Sequence, residues 1–154
     1  MIQRIQTVYL LITEILIGLL YLLPFAEISV KNNVAYRADM QGIYLEGTPN
    51  GDLIQRHWPI FLCWVAMMIL IFAVIFLYKN RKLQLRLLNI SLLTLLCFGG
   101  LILFELRSGA QRLSGQFSLT VYMVIPFIAI LLIFLAVKAI KRDDLLIKSI
   151  DRIR

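Results

Sequence analysis

Residues 59–78 read PIFLCWVAMMILIFAVIFLY, a run of 20 residues without a charged side chain. An α-helix rises about 1.5 Å per residue, so a run of this length can cross the ~30 Å hydrocarbon core of a bilayer. Three other stretches have a similar length and almost no charge. The sequence therefore predicts four transmembrane helices, at residues 5–23, 59–78, 87–104 and 118–137.

Composition supports the membrane assignment. The chain has 154 residues, of which 60% are hydrophobic, and a mean hydropathy of +0.84. A soluble domain of this size could not bury so much apolar surface, whereas lipid can cover it. The predicted fold class is an all-α membrane protein, an antiparallel bundle of four transmembrane helices that forms one domain, residues 1–154.

The first apolar stretch also has some features of a signal peptide, because Arg4 precedes it. Its run is longer than the usual apolar core of about 7–15 residues, and no clean small-x-small cleavage site comes before Pro24, although Ala26 is close. We therefore expect a first helix that is retained and ends at Pro24.

The longest polar connection is the predicted outer loop, residues 25–57. Apolar residues alternate at Ile28 and Val30 and again at Val34 and Tyr36, and Lys31-Asn32-Asn33 lies between the two pairs. A period of two interrupted by asparagines is typical of a β-hairpin, and residues 42–47 could add a short third strand. The prediction is a small extracytoplasmic hairpin that covers the outer ends of the helices.

The last segment, from Ala139, has a different pattern. Leu146, Ile147, Ile150 and Ile153 follow the spacing of one helical face, and charged residues fill the other face. This pattern predicts a C-terminal amphipathic helix on the cytoplasmic surface or docked onto a partner.

Basic residues are distributed unequally between the two sides of the predicted membrane. Cytoplasmic loops carry an excess of lysine and arginine, so the bias predicts a multi-pass protein with both termini in the cytoplasm. The same bias explains the net charge of +7 without a nucleic-acid partner. Eleven basic residues lie on the predicted cytoplasmic side, at positions 4, 79, 81, 82, 86, 138, 141, 142, 148, 152 and 154, and five lie on the other, at positions 31, 37, 56, 107 and 112.

Glu14 is the polar residue that the predicted membrane environment makes most unusual. It lies ten positions from both Arg4 and Pro24, near the middle of the first predicted span, where a carboxylate is costly unless it is protonated, paired or wetted. One interpretation is a proton-linked or ligand-binding group in a polar cavity. The other is a neutral acid that hydrogen-bonds to Asn89, Thr94 or Tyr122 within the bundle. Asn89 and Thr94 are the other predicted intramembrane polar residues.

The densest basic cluster follows the second span. Its predicted role is contact with anionic lipid headgroups on the cytoplasmic side. His57 is the only histidine, and a metal site needs several ligands, so neither a metal site nor a cofactor is predicted. The predicted headgroup contacts are Lys79, Arg81, Lys82 and Arg86.

Both ends of the chain resemble a known family. The opening MIQRIQTVYL, residues 1–10, and the closing RDDL and SIDRIR, residues 142–145 and 149–154, are similar to an uncharacterised family of four-helix inner-membrane proteins of Bacteroidota, a domain of unknown function. The resemblance implies a location in the bacterial inner membrane and no activity.

The predicted function is that of a non-enzymatic inner-membrane protein, an accessory or scaffold subunit of a larger membrane assembly. Small size, the lack of any catalytic motif in the sequence and two projecting segments favour it. Cys63 and Cys97 both lie inside predicted spans, which excludes a thiol oxidase with an outer cysteine pair. The alternative is a small transporter or lipid-handling protein in which Glu14 lines an intramembrane cavity.

Overall fold

The computed structural model describes residues 5–30, 34–45, 53–77 and 80–151. Within these ranges four α-helices and five β-strands follow one another, and a 3-10 helix, Val121–Val124, leads into the last α-helix. The helices are α1 Ile5–Leu19, α2 Trp58–Phe76, α3 Arg81–Arg112 and α4 Ile125–Asp151. The strands are β1 Ala26–Val30, β2 Val34–Ala38, β3 Gly42–Leu45, β4 Leu53–Arg56 and β5 Gln116–Leu119.

Three helical segments are long and apolar enough to cross a membrane, Trp58–Phe76, Arg81–Arg112 and Val121–Asp143. The chain is therefore a membrane protein. The first predicted span, residues 5–23, is also apolar, but its helix α1 has only 15 residues in the described part of the chain. Two hydrogen bonds, from Tyr21 to Gly18 and from Leu22 to Leu19, continue its last turn. The α-helix thus ends four residues before the predicted boundary at residue 23.

The helices pack side by side and expose apolar stripes. Helix α1 contacts α4 and α2, and α3 contacts α2 and α4. On α2 the outward residues Leu62, Ile69 and Phe76 are each more than 60% exposed, whereas the inward residues Met67 and Ile71 are fully buried. Because large aliphatic and aromatic side chains cover the outside, the surface of these helices suits contact with lipid.

The strands form one antiparallel sheet in the order β4-β3-β2-β1-β5. The predicted hairpin is confirmed, since β1 pairs with β2 in a register that brings Val30 opposite Val34, and the expected third strand is β3. The residues of the predicted hairpin turn, 31–33, lie outside the described ranges. The sheet lies at one end of the helices, called here the sheet end.

The predicted all-α class is wrong. Residues 116–119, assigned from sequence to a short loop and the start of the fourth span, form β5 and pair with β1. Strand β4 was also missed. The physical reason is that backbone N–H and C=O groups outside the helices still need hydrogen-bond partners. The segment between α1 and α2 and the segment between α3 and α4 meet at the sheet end and provide these partners for each other.

The sheet is seated on the end of α3. This helix has 32 residues and is about 48 Å long, so it extends beyond a ~30 Å hydrocarbon core. Its last turns bury Leu106, Gly109 and Ala110. A Cβ atom at Gly109 would lie 2.6 Å from Cδ1 of Ile43, a residue of β3. The absence of a side chain at Gly109 therefore lets the sheet approach the helix.

The two adjacent glycines of α3, Gly99 and Gly100, do not mark a close contact with a neighbouring helix among the described residues. A Cβ at Gly99 or Gly100 would meet no atom within 4 Å among the described residues. By contrast, a Cβ at Gly42 would overlap the carbonyl oxygen of Gln55 on the neighbouring strand. The close approach that requires glycine is thus in the sheet and at its seat on α3.

The C-terminal segment does not begin a separate helix. The backbone of α4 is continuous from Ile125 to Asp151, so the predicted amphipathic tail continues the last membrane helix. The side chains that defined its apolar face, from residue 146 onward, lie outside the described ones.

Candidate functional site

A pocket of about 200 Å³ lies at the sheet end, where β4 leads directly into α2. Four parts of the fold meet there: the turn after α1, the turn between β2 and β3, the paired strands β3 and β4, and the first turn of α2. We call it the aromatic pocket. It is lined by Tyr21, Gln41, Tyr44, Leu53, Arg56, His57, Trp58 and Phe61.

Stacked rings form one wall of the aromatic pocket. Tyr21 stacks on Trp64 with ring centroids 5.3 Å apart, and Phe61 stacks on the same indole at 6.0 Å. The Trp64 indole N–H donates to the carbonyl oxygen of Ile17 at 2.9 Å, which fixes the ring against the end of α1. Aromatic pairs of this geometry add about 0.5–1.5 kcal/mol beyond their buried area, so these contacts stabilise the wall.

A chain of side-chain hydrogen bonds crosses the pocket. The Tyr44 hydroxyl donates to Oε1 of Gln41 at 3.3 Å, and Nε2 of Gln41 donates to the Tyr21 hydroxyl at 2.9 Å. Gln41 is held in turn by its backbone N–H, which donates to Oδ1 of Asp39 at 2.9 Å. Each tyrosine oxygen retains capacity for a further hydrogen bond, so the pocket is prepared for a polar ligand.

Arg56, the last residue of β4, provides the positive charge of the pocket. Its guanidinium carbon lies 5.7 Å from the centre of the Trp58 ring, a cation–π distance, and the side chain is exposed. Burial raises the pKa of Tyr44, an effect that nearby Asp39 increases and nearby Arg56 opposes. In the described part of the chain no carboxylate forms an ion pair with Arg56, so its donors are available to an anion.

His57 is a fully buried wall of the pocket. Its Nδ1 lies 3.3 Å from the carbonyl oxygen of Asp39. Since a carbonyl oxygen can only accept, Nδ1 carries the proton, and Nε2 of the neutral ring is an acceptor that no donor of the described ranges reaches. Burial lowers the pKa of His57, and the Asp39 carbonyl and the carboxylates of Glu105 and Asp39 oppose this shift.

A second polar connection links the sheet to α3. The amide of Gln55 donates to Oε2 of Glu105 at 3.2 Å, and its Oε1 accepts from the Arg112 guanidinium at 3.4 Å. Gln55 thus lies between two charged side chains of α3. Together with the pocket, these contacts hold β4 against the end of α3.

A family model described as a domain of unknown function, DUF4293, matches residues 2–153. The chain belongs to this family. The match covers nearly the whole chain, and it confirms the resemblance of the two ends to an uncharacterised domain family. No curated protein matches the sequence. Because the family description assigns no activity, the function has to be inferred from the geometry.

The predicted intramembrane polar residues are not brought together in this family member. Glu14 is partly buried, and within the described ranges its buried Oε2 atom has no hydrogen-bond partner. Thr94 donates to the carbonyl oxygen of Ile90 on its own helix. Asn89 and Tyr122 are both exposed. None of the three hydrogen-bonds to Glu14 in the part of the chain that the structure describes.

Sequence reasoning missed two buried amides. Gln6 on α1 and Gln84 on α3 are each only 2% exposed. Nε2 of Gln84 donates to the carbonyl oxygen of Val74 at 3.2 Å and so joins α3 to α2 near their connection. The position of each glutamine on the buried face of its helix is a periodicity signal that could have identified it.

The predicted headgroup cluster lies at the end of the helices opposite the sheet. Arg81 donates to the carbonyl oxygen of Asp143 at 3.3 Å, which ties the start of α3 to α4. Lys82 and Arg86 are exposed, and Lys79 lies outside the described ranges. Within those ranges no three His, Cys, Asp or Glu residues are grouped so that they could hold a metal ion.

The burial of His57 predicts a pH-dependent stability. The unfolded chain binds the proton with a pKa near the ordinary value of about 6.5, whereas the folded protein resists protonation. The stabilisation is therefore complete above about pH 6.5 and is lost as the pH falls toward the lower folded pKa. The apparent melting temperature in mild detergent should decrease between about pH 7 and pH 5.5.

The matched variant is His57→Gln, whose amide can still donate to the Asp39 carbonyl but does not titrate. It should show a flatter dependence of melting temperature on pH over the same interval. Equal slopes for the wild type and His57→Gln would contradict the assignment of this dependence to His57.

Proposed function

We propose that this chain is a non-enzymatic accessory or scaffold subunit of a larger membrane assembly, and that strand β5 is the element that binds its partner. The supporting observation is an unprotected edge of the sheet. An edge strand has one row of N–H and C=O groups without a neighbouring strand, and such a row pairs readily with another chain.

The two edges of the sheet differ. Strand β4 pairs with β3 through an irregular register at Ile43 and Tyr44, ends in a charged arginine, and has Gln55 hydrogen-bonded to α3. Bulges and charges of this kind discourage edge pairing. Strand β5 has the sequence QFSL, without charge or proline, and all four of its residues are exposed. Its edge has none of those protections.

The register shows which backbone groups of β5 are open. The backbone N–H of Thr120 donates to the carbonyl oxygen of Phe25, so Thr120 faces β1. Alternate residues of an antiparallel strand face opposite sides, which directs the N–H and C=O groups of Phe117 and Leu119 toward the free edge. A partner strand would bond to these two residues.

The side chains beside this edge indicate what kind of strand would fit. Phe117 and Leu119 lie opposite the buried residues Ile28 and Ala26, yet their side chains are 36% and 49% exposed. The inner face of the sheet is therefore covered at β1 but only partly covered at β5. An open groove of about 390 Å³ runs between β5 and the end of α3 and includes the exposed Arg107. The partner is therefore an extended segment with alternating apolar residues and an acidic residue near Arg107.

A pair of matched lysine substitutions tests the partner edge. Leu119 on β5 and Ile54 on β4 are both 49% exposed. Leu119→Lys places a charge on the proposed partner edge and should reduce the amount of partner that co-purifies in mild detergent by about tenfold or more, equivalent to ~1.4 kcal/mol. Ile54→Lys should retain it.

Photocrosslinking identifies the contact directly. A crosslinking residue at position 119 should give one discrete adduct with a second polypeptide, and one at position 54 should not. Equal recovery of the partner with both lysine variants, or no adduct from position 119, would refute the role of β5.

For location, we propose the bacterial inner membrane with both termini in the cytoplasm. The end of the helices opposite the sheet is rich in basic side chains, and such ends remain cytoplasmic and contact anionic headgroups. Reporter fusions after Arg86 and after Arg154 should be active in the cytoplasm, and one at Gly51 should be active outside it. The reverse pattern would invert the orientation. The described basic side chains at this end are Arg81, Lys82, Arg86, Lys138, Lys141 and Arg142.

A transporter or lipid-handling function is the second candidate, supported by the buried Oε2 atom of Glu14, which lacks a partner among the described residues. Glu14→Gln keeps the size and hydrogen-bonding groups of the side chain and removes its ionisation. In a deletion strain, the variant should restore growth fully if the chain is an accessory subunit. Loss of growth at a normal protein level would instead favour a titrating Glu14, and Glu27→Gln, at an exposed position of the sheet, is the control.

A further inference from the structure

The aromatic pocket opens where the apolar part of the chain begins. Trp58 lines the pocket and is also the first residue of α2, one of the helices that can cross a membrane. Tryptophan and tyrosine are enriched at the level of lipid headgroups, because their rings are apolar and their N–H or O–H groups are polar. A ligand in this pocket would thus lie at the membrane surface.

We propose that the aromatic pocket binds the phosphate headgroup of a membrane phospholipid. Phosphate is the group that Arg56 fits best, since a guanidinium presents parallel N–H donors to two oxygens of a phosphate. The Trp58 ring at 5.7 Å supports the guanidinium on one side and leaves its edges available.

The start of α2 adds to the attraction for an anion. Its N-cap residue, His57, forms no side-chain hydrogen bond to the first turn, and Pro59 is the second residue of the helix. The first-turn N–H groups of a 19-residue helix carry a partial positive charge that favours a phosphate. The free hydrogen-bonding capacity of the Tyr21 and Tyr44 hydroxyls lies in the same pocket.

The size of the pocket favours a headgroup over a larger ligand. Pockets for drug-sized molecules are about 300–1,000 Å³, whereas this one is about 200 Å³. It can hold a phosphodiester with a short polar substituent. A nucleotide or an oligosaccharide would exceed it.

An exposed apolar stripe on α2 favours a lipid over a free phosphate ester as the ligand of the aromatic pocket. Below Trp58, Leu62 is 62% exposed and Ile69 is 63% exposed, and both lie on the outside of the helix. Positions four and eleven residues after Trp58 are near the same helical face. Acyl chains attached to a headgroup in the pocket could therefore run along this stripe, which a soluble ester cannot use.

The test is a lipid titration monitored by native mass spectrometry. The full chain, delipidated in mild detergent, is titrated with dioleoyl phosphatidylglycerol, and one tightly bound lipid per chain is expected. Arg56→Gln should weaken this binding by about tenfold or more, and Arg56→Lys by less, because the charge remains without the planar fork. Arg107→Gln, which removes another exposed arginine at the sheet end, should leave it unchanged.

Two further ligands identify which part of the lipid is recognised. Dioleoylglycerol lacks the phosphate, and sn-glycerol 3-phosphate lacks the acyl chains. Both should bind at least tenfold more weakly than the phospholipid. Equal binding of dioleoylglycerol would overturn phosphate recognition, and equal binding of sn-glycerol 3-phosphate would overturn the lipid as ligand. Wild-type affinity in an Arg56→Gln variant with an unchanged melting temperature would overturn the site.

Discussion

The excess length of α3 over the thickness of a bilayer determines how the rest of the molecule is arranged. A ~48 Å helix perpendicular to a ~30 Å hydrocarbon core extends about 18 Å beyond it, and the end nearest the sheet gives the sheet a surface to pack on. Small isolated sheets are marginal in water. Burial of Ile28 and Ile43 beside Gly109 supplies the apolar contact that this sheet needs. The aromatic pocket and the β5 edge both depend on the resulting geometry.

Local sequence patterns predicted the parts of the fold that are local. Charge-free runs located three membrane helices, and the alternation around residues 31–33 located the β1–β2 hairpin. Strand β5 was not predicted from the sequence because QFSL is short and directly precedes an apolar helix, although it alternates polar and apolar residues. Its pairing with β1 joins residues far apart in sequence, and no local pattern encodes such a contact. The all-α prediction failed because it omitted this long-range pairing and strand β4, which together extend the hairpin into a five-stranded sheet.

The candidate site was less predictable than the fold. The sequence drew attention to His57, but the pocket also needs Tyr21 and Gln41, which come from other elements. Only tertiary structure brings these side chains together. For Glu14, the sequence identified the unusual residue but not its surroundings. Composition identified an unusual carboxylate, whereas Thr94, one of its proposed partners, satisfies its hydroxyl on its own helix.

The pairing of β1 with β5 also constrains how the protein can be made. Ser29 and Gln116 are 87 positions apart, and two membrane helices lie between them. At a synthesis rate of about 5–20 residues per second, the ribosome takes roughly 4–17 s to cover that distance. During this interval one side of β1 has no strand beside it. The sheet is therefore completed only after α2 and α3 have been synthesised, and until then the edge of β1 that later pairs with β5 is open to other strands.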